Sequence, residues 1–232
     1  MTAVHGKDTA IHAAEFDLSQ YLNASDIDQT TGVGKTTTYL KESETYIPGL
    51  GDGTISLGGI WDSTADAALA GMVQSAAGEP WAVAYDGFVV GNSVRVCQAR
   101  QTSYKASSPV GDVVTYTVTV QADGGLDIGT ALQDSVAAET GAGAAAGTDH
   151  GVLTSDGGIS QIHLLAFTGT DLIVKTQHST TDGTYIDLTT FTTLTGVGSE
   201  RVAVSGTVNK WMRAEWAGTF SSATFAVVFA RR

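Results

Sequence analysis

The chain has 232 residues, 42% of them hydrophobic, with 28 glycines, 3 prolines, one cysteine and a formal net charge of −12. That apolar fraction supports a packed core and excludes global disorder, while the lone Cys97 excludes an intrachain disulfide framework. The excess of 24 acidic over 12 basic residues disfavours adhesion to nucleic acid or an anionic membrane.

The opening MTAVHGKDTAIHAAEF has no cationic stretch before an apolar core, so no secretory leader is expected. No run reaches the roughly 18–20 apolar residues of a membrane span, so no membrane insertion is expected. Next, QTTGVGKTTTY (29–39) carries the ending of a phosphate-binding loop, Gly32-Val33-Gly34-Lys35-Thr36. The full pattern needs a glycine five residues before Gly34, where Gln29 stands. Thr36, Thr37, Thr38 and Tyr39 then favour strand over the helix such a loop opens. The segment therefore reads as a glycine- and threonine-rich loop, not a nucleotide site.

TISLGGIW (54–61) alternates Ile55, Leu57 and, past a glycine pair, Trp61. In DSTADAALAGMVQSAAG, the spacing of Leu69, Met72, Val73 and Ala76 predicts a helix over 63–76, with Ser63 as N-cap and Gly78 and Pro80 as stops. WAVAYDGFVVGNSVRVCQA reads as strand, Asp86-Gly87 turn, strand. VVTYTVTV (113–120) sets Val114, Tyr116, Val118 and Val120 on one face, the period of a half-buried antiparallel strand. DSVAAETGAGAAAGTDHGVLTSDGG sustains no period and reads as a long loop or linker. Six strand-like runs follow, from SQIHLLAFTG to ATFAVVFA, and fit a small sandwich. The expected fold class is all-β, mainly strands with one short helix. Its division is a β domain over 1–124, a Gly/Ala-rich linker or loop over 125–158, and a β-sandwich over 159–232.

Chemistry-bearing patterns are sparse. There is no G-x-S-x-G elbow. His163 alternates with Leu165 and Phe167 and reads as a hydrogen-bonded, partly buried histidine. His178 is about one hairpin away, but no third ligand stands at metal spacing. The Asp-Gly pairs at 52, 86, 123, 156 and 182 follow no calcium-loop pattern and read as turns. No catalytic residue, cofactor or metal is expected. Trp216 alternates with Met212 and Ala214, pointing to core. Trp211 shares its face with Arg213 and Glu215, and with Tyr185 it is the candidate exterior ligand contact.

The order of several motifs is more specific. HGKDTAIHAAEFDLSQYLNASDID, a threonine-rich stretch, and ETYIPGLGDGTISLGGIWD resemble the opening of major tail tube proteins of long-tailed, siphovirus-like bacteriophages. Asp17 to Asn23 and Tyr46 to Gly53 carry the likeness. YKASSPVGDVVTYTVTVQADGGLDIG and the run from HSTTDGTYIDLTTF to TFAVVFA continue it, so it spans nearly the whole chain. The resemblance implies a tail-tube-type β-sandwich or barrel followed by a second sandwich on the tube exterior. It also implies an extended arm over about 27–50, with Thr31, Gly32, Gly34, Lys35, Thr37 and Tyr39 in inter-subunit contacts.

By the same resemblance, the protein is a non-enzymatic virion component made in the bacterial host cytoplasm. Six copies close a ring, rings stack into a tube, other tail proteins meet its ends, and DNA passes through the lumen without specific binding. The chain departs from the family in having Thr36-Thr37-Thr38-Tyr39 where a T-T-x-F-G core is common. Two alternatives stay open: a carbohydrate-binding or adhesin-type module acting through Trp211 or Tyr185, and a capsid decoration protein.

Overall fold

Alternating β-branched and aromatic residues separated by glycine turns build strands almost throughout. The computed structural model describes residues 5–39, 42–73 and 75–232. In chain order its elements are β1 (Ala10–Ala13), β2 (Phe16–Asp17), β3 (Leu22–Lys35), β4 (Tyr46–Ile60), helix α1 (Ser63–Met72), β5 (Glu79–Ala84), β6 (Ser93–Ser107) and β7 (Thr115–Gln133). They continue with β8 (Gly143–Ala144), β9 (Thr148–Asp149), β10 (Gly158–Ser179), β11 (Ile186–Thr190), β12 (Gly198–Val204) and β13 (Trp211–Arg231). The fold is all-β with one short helix, as expected, and no described helix is long and apolar enough to cross a membrane.

Two compact units interleave along the chain. One draws on residues up to Gln20, Pro80–Val96 and Asp127–Arg232; the other on Tyr21–Glu79 and Cys97–Leu126. These divisions differ from the sequential ones at 124 and 158, because strand partners are remote in sequence. β7, for example, pairs with β4 through residues 115–121 and with β13 through 129–133.

In the first unit, β10 and β13 form a long hairpin from Gly158↔Arg231 to Ser179↔Trp211, with irregularities near Ala166 and Gly169. β12 lies along the first part of β10 and β11 along its last part. Phe225, Val227 and Phe229 enter one core with Leu132, Ile162, Leu164 and Trp216. Ala226, Val228 and Ala230, on the opposite face, enter another with Ala82, Phe88 and Val96. A strand buried on both faces explains the unbroken apolar run FAVVFA. The β5–β6 connection places Gly87 at φ 70° and Gly91 at φ 93°. It spans 85–92, longer than the two-residue turn expected at Asp86-Gly87.

The stretch 125–158, expected as a loop or linker, is tied down. Residues 125–133 continue β7, and β8 and β9 both pair with β13. Glu139 bridges Ala223, and Thr154 bridges Val208. Trp216 donates its Nε1–H to the Gly141 carbonyl at 3.0 Å, and a Cβ on Gly143 would come within 3.0 Å of the Trp216 ring. The small residues that suggested a linker instead let backbone lie flat against an indole.

β1 and β2 make a hairpin against β5, with Ala13 opposite Trp81. Its turn holds Ala14 at φ 50°, a conformation costing a non-glycine residue about 1–2 kcal/mol. Ala14 donates to the Pro80 carbonyl at 2.9 Å and accepts from His163 Nδ1 at 2.7 Å.

In the second unit, Thr54–Ile60 of β4 pairs with Gln121–Thr115 of β7, burying Ile55, Leu57, Tyr116, Val118 and Val120. Trp61, at the end of the alternation begun by Ile55 and Leu57, is 41% exposed, because the strand ends at Ile60 and the chain turns into α1. The helix N-cap is Asp62, one residue before the expected Ser63, and its carboxylate accepts from Thr64 N–H at 2.8 Å. A charged cap also complements the positive end of the helix. Ala65, Ala68, Leu69 and Met72 are buried; Val73 caps the C-terminus and is 42% exposed. The helix therefore stops short of the expected Ala76, and Gln74 lies outside the described residues.

Candidate functional site: a two-stranded ribbon

The second unit contains a long hairpin in which β3 and β4 pair from Leu22↔Gly59 to Lys35↔Tyr46. Its inner half is sheet, since β4 residues 54–60 also pair with β7. Beyond Gly53 there is no third described strand, and the pair continues as a two-stranded ribbon. The change is visible in the burial of β4. Ile55 and Leu57 are buried, whereas residues 46–52 are all exposed.

The root is clamped by polar side chains. Gln29 Nε2 donates to the Leu126 carbonyl at 3.1 Å, and Gln121 Nε2 donates to the Gly53 carbonyl at 3.1 Å and to the Asp52 carboxylate. Gly53 is needed for close packing, because a Cβ there would sit 2.7 Å from Leu126 Cδ1. Asp52-Gly53 is thus part of a strand rather than the expected turn. Asp123-Gly124 is likewise inside β7, with Gly124 at φ 86°.

Every expected arm residue falls on this ribbon or its tip. Thr31 pairs with Gly51, Gly34 with Ile47 and Lys35 with Tyr46, while Gly32 sits at a register irregularity. At the tip, Thr36 N–H donates to the Thr45 carbonyl at 2.8 Å, and Thr45 N–H donates to Thr37 Oγ1 at 2.8 Å. Tyr39 is 99% exposed. Leu40 and Lys41, inside the expected arm, lie outside the described residues. Lys35 pairs with Glu44, which also accepts from the Tyr46 hydroxyl. The bond to Lys35, then that to Tyr46, holds the Glu44 carboxyl below its ordinary range. Lys35 ends a strand and does not open the helix that follows a phosphate-binding loop.

By the two-residue period, Val33, Lys35, Tyr46 and Pro48 share one face of the ribbon, and Gly34 and Ile47 the other. Val33 is 67% exposed and Leu50 90%. A two-stranded ribbon is marginally stable alone.

The other sequence candidates are occupied locally. Tyr185 donates to Asp182 at 2.7 Å, and Arg213 lies 4.2 Å from its ring centre, covering one face. Burial, then the Asp182 bond, pushes the Tyr185 phenol up to about 12. Trp211 is half-buried and pairs with Asp149 and Ser179. His178 Nδ1 accepts from Asn209 N–H at 3.1 Å. His163 is fully buried rather than partly so, between Ala14 and Gln161. His12, which no motif singled out, is also buried, its ring stacked 3.9 Å from Phe88. Among the described residues, no group of three or more His, Cys, Asp or Glu is placed to hold a metal.

No protein-family model and no curated protein matches the chain. Solved structures that match the chain include one from the tail of an empty gene transfer agent particle with C6 symmetry, at 17% identity and TM-score 0.44, covering 53% of this chain and 97% of that one. A chain from the anti-feeding prophage cap that terminates its tube is 10% identical with TM-score 0.44, covering 56% and 93%. The Dit protein of phage SPP1, described as a hub of the adsorption apparatus in phages infecting Gram-positive hosts, is 12% identical with TM-score 0.36, covering 96% and 98%.

Proposed function

We propose that the protein is the building block of a phage-type tail tube, a structural and non-catalytic component of the virion. Six copies close into a ring and rings stack into a hollow tube, with other tail proteins at its ends. DNA passes through without specific binding, and a net charge of −12 keeps the polyanion from adhering. In this reading the β-rich block over 159–232, folded in one unit with residues up to Gln20, 80–96 and 127–158, lies on the tube exterior.

One observation carries the proposal: the ribbon formed by Thr30–Lys35 and Tyr46–Gly53, two strands with exposed apolar side chains and an open edge on β3. An unpaired edge is a template for another strand, and adding one supplies main-chain hydrogen bonds together with side-chain pockets. The order of tail-tube motifs along the sequence supports the same reading. A glycan-binding reading is less favoured, because Arg213 already covers one face of the Tyr185 ring.

Negative-stain electron microscopy of concentrated protein, with mass determination of soluble oligomers, tests this. Rings or hollow tubes are expected, and deletion of residues 30–45 leaves the fold intact but abolishes stacking. A monomer that binds glycans and never forms rings overturns the proposal.

A further inference from the structure

Three polar side chains in the first unit, the buried Gln161 and His163 and the partly buried Arg201, form a relay that the ribbon does not explain. Their roles follow from donor and acceptor rules. The Ala14 carbonyl can only accept, so His163 carries its proton on Nδ1, 2.7 Å away. His163 Nε2 is then a lone pair and accepts from Gln161 Nε2 at 2.7 Å. The Gln161 amide is oriented by two further partners. Its Oε1 accepts from Arg201 Nη1 at 2.7 Å, and its Nε2 donates to the Trp81 carbonyl at 3.0 Å.

A second proton on His163 would set N–H against N–H. Turning the Gln161 amide over would relieve that conflict. It would also place the amide NH2 against the Arg201 guanidinium and leave the Trp81 carbonyl without its donor. The closed arrangement therefore has no place for an imidazolium.

We infer that Arg201, Gln161 and His163 form an acid-sensitive latch on the β1–β2 hairpin, closed while His163 is neutral and released when it is protonated. The latched element is poised to move. Ala14 keeps its left-handed conformation through two hydrogen bonds, one to Pro80 and one from His163. β1 and β2 are short, and β1 pairs only with β2 and β5 among the described strands.

The surroundings offer a new charge no compensation. On β1, the His12 ring lies 5.7 Å from that of His163, with its Nε2 3.3 Å from Ser135 Oγ and 3.9 Å from Asp17 Oδ1. On β12, Arg201 is paired with Asp127, which also lies 3.9 Å from Arg232. Ser199 on β12 and Ala226 on β13, the register partners of His163, are neutral, as is Trp81 on β5. Glu200, next along β12, is turned to Thr192.

Burial pulls His163 down to about 4 against the Ala14 carbonyl, and Arg201 adds to the lowering. Burial, then His163, lowers His12 as well. A histidine whose pKa is depressed on folding contributes fully above the unfolded value of about 6.5. That contribution falls as pH drops towards about 4, by up to about tenfold in the folding constant per pH unit.

Hydrogen exchange on the full wild-type chain at neutral pH and at about pH 4.5, corrected for intrinsic rates, tests the latch. Amides of residues 10–18 are expected to lose protection by on the order of tenfold to a hundredfold, while residues 158–164 keep theirs. Equal loss in both segments, or none in the first, overturns the inference. In Gln161→Glu the carboxylate accepts from both Arg201 and an imidazolium, at the cost of the bond to the Trp81 carbonyl, so the fall in hairpin protection between the two pH values should be smaller than in wild type. Opening as in wild type would count against the latch. If that variant does not fold, the wild-type histidine carbon signals decide. A buried histidine titrating well below 6.5 together with hairpin opening supports the latch, and ordinary titration of all five refutes it.

Discussion

Gly59 allows the β3–β4 hairpin to close at its root, because a Cβ there would lie 2.1 Å from the Tyr21 carbonyl and 2.7 Å from the Tyr116 ring. Backbone cannot yield as a side-chain tip can. Gly59→Ala is therefore expected to lower stability by about 1–3 kcal/mol, read as a shift in the urea midpoint at unchanged slope. The GG pair at 58–59 was visible in the sequence as an interruption, but the reason for it was not, since Tyr21 and Tyr116 are remote. His12 shows the same limit. In AIHA it alternates like any strand residue, and its burial depends on Phe88, Ser135 and His163, none of them local. Trp216 was readable as core because Met212 and Ala214 carry the same period beside it.

At the scale of elements, α1 is held by one face and one cap. Leu69 is fully buried, so Leu69→Ala is expected to cost about 2–5 kcal/mol. Asp62→Ala removes the cap bond to Thr64 for about 1 kcal/mol. Chemical denaturation of the two variants should separate these magnitudes, and equal costs would mean the helix is not packed as described. The helix and the 115–120 strand were legible because each carries its own period. From its residues the ribbon was legible only as a glycine- and threonine-rich loop: these residues give no alternation, so its strand character comes from pairing across the hairpin. The 134–158 segment was not legible at all, because its order comes from β13, which lies more than 50 residues later.

For the whole molecule, assembly and folding make separate demands. Leu50→Asp alters a side chain that is 90% exposed, so the melting temperature should not change. Under the proposed function, sedimenting tubes should be lost. A variant that melts early would place Leu50 in the fold instead. Bringing together copies that each carry −12 also opposes association at long range. Tube yield measured by pelleting should therefore rise from low to high salt, the reverse of what a charge-paired assembly would do.

β13 lies against β7, β8, β9 and β10, and supplies both cores of the first unit. A ribosome delivers it after all of those partners. Until residues 211–231 emerge, β7 and β10 lack their common neighbour and β8 and β9 have nothing to pair with. The first unit is therefore closed after translation of its partners, not alongside it. The second unit, whose segments end at Leu126, has all its residues available some hundred residues sooner. The two units are thus separated in time during synthesis, and the ribbon belongs to the unit whose residues are available first.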